Sequence, residues 1–66
     1  MNQKVFNLQN RVNHLRDVGW TWADLGRESG IEQSYLRKFA GGQIPDPSLT
    51  RFETMTKLVR KLERRQ

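Results

Sequence analysis

Sixty-six residues without a cysteine make one small domain with a limited core and no disulfide, thiolate metal site or cysteine nucleophile. Twelve Lys and Arg against seven Asp and Glu give a net charge of +5, a positive field that draws polyanions and admits nucleic acid among the partners. No apolar run reaches the ~20 residues needed to cross a bilayer. The opening MNQKVFNLQN lacks the apolar block of a signal peptide, so no membrane association and a cytoplasmic location are expected.

Val5, Leu8, Val12 and Leu15 recur at spacings of three and four, which predicts a first helix with one buried stripe, closed by Gly19. Thr21 is placed to cap a second helix, with Asp24 completing a short-armed capping box. Leu25 is the apolar anchor of that helix, and Gly30 ends it after about two turns. Ile31, Tyr35, Leu36 and Phe39 form the narrow apolar stripe of a third helix, leaving Gln33, Ser34, Arg37 and Lys38 on the other side. The segment AGGQIPDP breaks it. Asp46 followed by Pro47 predicts a fourth helix over about 47–64, with Leu49, Phe52, Met55, Val59 and Leu62 on its apolar side and Leu58 beside them. Strand patterns are missing, so the predicted fold is all-α: a compact bundle of four helices, or five if a short piece follows about Arg60.

The two short helices with a glycine at their junction, at about 21–40, fit a helix-turn-helix, in which the first helix braces the second against the major groove. Arg, Lys, Gln and Ser are side chains that reach base edges and phosphates. The stretch TWADLGRESGIEQSYLRKFAGGQIPDPSLTRF resembles the helix-turn-helix domains of phage Cro and lambda-type repressors, the XRE family. Thr21 opens the scaffold helix, Leu25 lies in the core, Gly26 stands where the helices cross and Gly30 falls at the turn. Leu36 and Phe39 take the inner face of the recognition helix, and the match extends from about Val12 to Leu62.

The resemblance implies a lambda-repressor-like domain and a transcriptional repressor that binds double-stranded operator DNA as a homodimer. Gln33, Ser34, Arg37 and Lys38 map onto base-reading positions, with Glu32 nearby. Thr21, Trp22, Gly41, Gly42 and Gln43 map onto phosphate-holding positions, and Tyr35 combines a ring in the core with a hydroxyl at the DNA backbone. The chain also departs from the family pattern. Glu32 replaces a Ser or Thr cap, and Ser29 replaces an apolar residue, leaving room with Gly26 for Trp20 or Tyr35. Trp22 either donates its indole N–H to a phosphate or packs inward. Ala40 stands where an acid often pairs with an arginine at the place of Arg16.

On the last helix Lys57, Arg60, Lys61 and Arg64 share one side. Residues 43–66 hold six basic against three acidic side chains, Arg65 among the six, whereas residues 1–30 hold four against three. This stripe serves either nonspecific DNA attraction or solubility. Leu58, Val59 and Leu62 extend beyond what a short bundle is expected to cover and form a candidate dimer seam. A rival reading uses the same seam for protein interaction, as an antitoxin-like adaptor. His14 has no partner at metal-ligand spacing and is expected at the surface or at a boundary. No metal, cofactor or small-molecule ligand is expected. Catalysis is not expected either, for want of a nucleophile–base pair, a glycine-rich phosphate loop or clustered carboxylates.

Overall fold

The computed structural model describes residues 3–64, which form four α-helices and no strand: α1 (Gln3–Asp17), α2 (Trp22–Ser29), α3 (Gln33–Ala40) and α4 (Leu49–Glu63). Each boundary has a local cause. At the end of α1, Gly19 adopts φ 116°. Its N–H donates to Arg16 O (3.1 Å) and the Trp20 N–H to Leu15 O (3.0 Å), the paired bonds that satisfy terminal carbonyls in a Schellman closure. Thr21 and Asp24 form the predicted box: the Asp24 N–H donates to Thr21 Oγ1 (3.0 Å) and the Thr21 N–H to Asp24 Oδ2 (3.1 Å). Gly30, at φ 75°, ends α2 in the left-handed conformation that glycine adopts without steric cost, and its N–H donates to Gly26 O (2.8 Å).

The stripes converge on one core. Val5, Leu8, Val12 and Leu15 of α1 meet Leu25 of α2, Leu36, Phe39 and Ala40 of α3, and Met55, Leu58, Val59 and Leu62 of α4, with Ile31 closing the α2–α3 turn. α1 packs on α3 and α4, and α2 packs on the same two helices. Trp20, Trp22, Tyr35, Ile44 and Phe52 seal the margin of this core. His14 is at the surface as expected.

Several predicted details are corrected. α4 begins at Leu49, with Ser48 as its cap accepting from the Arg51 N–H (3.3 Å), rather than near Pro47 under an Asp46 cap. Serine and aspartate cap about equally well, and the later start leaves both prolines in the connection, where their missing N–H breaks no helical bond. Leu49 consequently faces solvent, 73% exposed, instead of joining the stripe. α4 continues unbroken to Glu63, so no separate helical piece follows Arg60 among the described residues. Arg65 lies outside them.

The predicted dimer seam is also overturned. Leu58 is 2% exposed, and Val59 and Leu62 are fully buried, because α1 and α2 both pack against α4. Ion pairs fasten this arrangement on its outside. Arg11 of α1 grips Glu63 of α4 through two bonds of 3.1 and 2.7 Å, and Lys61 of α4 meets Glu28 of α2 at 2.6 Å.

Candidate nucleic-acid interface

Leu36, Phe39 and Ala40 turn one side of α3 into the core, and the helical period then fixes what the other side presents. Gln33, Ser34, Arg37 and Lys38 are all exposed, and among the described residues none of their side chains has a hydrogen-bond or ion-pair partner. The structure therefore brings the four predicted base-reading residues onto one outward surface.

Gly26 controls how closely this surface approaches α2. A Cβ at residue 26 would lie 3.2 Å from both Gln33 Cγ and Ile31 O, so the missing side chain lets the start of α3 lie against α2, with the Gln33 stem over the gap. The room expected for Trp20 or Tyr35 is thus taken by Gln33 and Ile31. Ser29, beside it, fills another need: its Oγ accepts from the Ile31 N–H at 3.0 Å, satisfying a donor in the turn. Glu32 precedes α3 without capping it through its side chain.

The residues expected at phosphates divide into two groups. The N–H and Oγ1 of Thr21 are engaged within the capping box. The free donors at that end of α2 are the next two backbone amides, those of Trp22 and Ala23, which have no acceptor among the described residues. Trp22 is half-buried against the core, with the Arg16 guanidinium 5.0 Å from its ring centroid. Arg16 also donates to Trp20 O (2.9 Å), so it fastens the α1–α2 corner. After α3, the N–H groups of Gly41, Gly42 and Gln43 donate to Arg37 O, Phe39 O and Lys38 O at 2.9–3.1 Å. This closure engages the Gly41 and Gly42 amides within the chain. The Gln43 side chain remains exposed.

Two features escaped the sequence pattern. Asn13 of α1 donates through Nδ2 to Ala40 O (2.9 Å), tying the end of α3 to α1 without an acid at residue 40. Arg51, in the first turn of α4, lies over the Tyr35 ring at 4.3 Å. Both join residues far apart in the chain, and neither belongs to a local motif.

Comparison with protein-family models, curated proteins and solved structures finds no match. Among the described residues no helix is long and apolar enough to cross a membrane.

Proposed function

We propose that the chain is a double-stranded DNA-binding transcriptional repressor that lays α3 in the major groove as the second helix of a lambda-repressor-like helix-turn-helix. The observation that carries this reading is the outward face of α3. Arg11, Arg27 and Lys61 are paired with carboxylates and Arg16 with a carbonyl and a ring, whereas the side chains of Arg37 and Lys38, like those of Lys57, Arg60 and Arg64 on α4, have no partner among the described residues, and Arg37 and Lys38 stand beside Gln33 and Ser34 on one exposed face. These side chains suit guanine O6/N7, adenine N6/N7 and phosphates. The open amides of Trp22 and Ala23 at the start of α2 suit a flanking phosphate.

The longest dimension of the described body is 29 Å, less than the ~34 Å between half-sites one helical turn apart. A palindromic operator on this reading takes two copies of the chain. The rival adaptor reading required an apolar seam at Leu58 and Leu62, and both are inside the core.

Selection of bound sequences from a random duplex pool, followed by affinity measurements on the enriched site, tests the proposal. Arg37→Ala should cost about 1–3 kcal/mol on the selected site and much less on random DNA, while Arg60→Ala should alter mainly the salt dependence. A pool that enriches no sequence sinks the reading. Equal loss on both duplexes reduces Arg37 to a phosphate contact.

A further inference from the structure

We infer that Arg51 is a further DNA contact, a phosphate clamp held in place by Tyr35. The inference rests on α3 being the recognition helix and adds to the interface a positioned side chain in the first turn of α4. Arg51 is half-buried, with its guanidinium carbon 4.3 Å from the centroid of the Tyr35 ring. A guanidinium over an aromatic ring is held by the ring while donors remain for a phosphate. Among the described residues those donors meet no carboxylate or carbonyl.

The placement puts Arg51 at the margin of the outward face of α3. Tyr35 and Lys38 are three residues apart and therefore neighbours on the helix surface, so the ring that holds Arg51 neighbours Lys38. Stability of α4 does not explain the residue. A cation in the first turn opposes the helix dipole, and that turn contains no acid to offset it. An arginine unfavourable for its own helix, immobilised on a ring and unpaired, has the arrangement of a group held ready for an anion. Lost side-chain freedom is then a cost already met before DNA arrives.

The alternative is that Arg51 merely fastens α3 to α4, and salt dependence separates the two. Binding to a fluorescein-labelled random-sequence duplex is measured by anisotropy between 50 and 200 mM salt for the wild type, Arg51→Ala, Arg51→Lys, Tyr35→Phe and Arg37→Ala. Losing one phosphate contact should make the affinity fall across that range roughly 3-fold shallower for Arg51→Ala than for the wild type. Arg51→Lys should keep the wild-type slope with weaker binding, and Tyr35→Phe, which retains the ring and loses only a neutral hydroxyl, should keep that slope too. An unchanged slope in Arg51→Ala, while the wild type still enriches a sequence from a random duplex pool, overturns the clamp and leaves the α3 interface standing. Absence of salt-dependent binding by the wild type overturns both. Should Arg51→Ala fail to fold by circular dichroism, the Arg51 Nε–H resonance of the wild type decides: a shift on adding duplex supports the clamp, and an unmoved resonance overturns it.

Discussion

Thr21 shows how much a single side chain does in a protein this small. Its Oγ1 and N–H are both bonded to Asp24, and Asp24 also reaches Arg27 at 2.8 Å. The Asp24 carboxyl is accordingly held below its ordinary range, first by the Thr21 backbone N–H, then by the Thr21 side chain and by Arg27. Removing the hydroxyl in Thr21→Ala should destabilise the fold by about 1 kcal/mol, read from urea melts, whereas Thr21→Ser should restore most of it. Equal melts for the alanine variant and the wild type would rule out a contribution of the cap to stability. This box was legible in the sequence because its partners are three residues apart. At the start of α4 the structure uses Ser48, two residues beyond the predicted Asp46, and local preference does not separate residues of equal capping strength. Trp22 was left open for a related reason: its direction depends on Arg16, which belongs to another helix.

At the scale of elements, apolar periodicity identified α1, α3 and α4, because a stripe at three- and four-residue spacing reports burial whatever it packs against, while α2, with Leu25 alone in the core, was marked by its cap and its closing glycine. It said little about how the helices are fastened. The Arg11–Glu63 pair spans 52 positions, and the Asn13–Ala40 bond spans 27; nothing near any of these residues marks them. Glu63 is held below its ordinary value of 4.5 chiefly by the Arg11 hydrogen bonds, with the charges of Arg11 and His14 acting in the same direction against burial. A carboxylate with a lowered folded pKa contributes stability above its unfolded value, and the contribution disappears as pH falls through the folded one. Glu63→Gln should therefore lower the melting temperature at pH 7 by about 2–6 °C, given that both partners are more than a third or close to a third exposed and screened by water. The gap from wild type should close as the pH drops below about 4. A gap that persists unchanged at pH 2 would point to packing instead of charge.

At the scale of the whole molecule, the misread residues are those whose environment depends on coverage, which a linear pattern does not report. Leu58, Val59 and Leu62 looked surplus because three short helices seemed too few to hide them. The structure hides them because α1 is as long as α4, each having 15 residues, and because α2 packs against α4 as well. Leu49, in contrast, looked like part of the stripe and is exposed because the helix begins at its own position. The distinction between core and seam has a thermodynamic signature. Folding of a chain this size is worth only about 3–10 kcal/mol, and truncating a buried leucine costs about 2–5. Leu62→Ala should therefore lower the melting temperature by more than about 8 °C. That drop should be the same at tenfold different protein concentrations, since removing a core contact does not involve a second chain. A residue at a dimer seam behaves otherwise: its contribution changes with protein concentration through mass action. If Leu62→Ala melts close to the wild type when dilute and diverges from it only when concentrated, the burial of Leu62 within one chain is wrong and the seam must be reinstated.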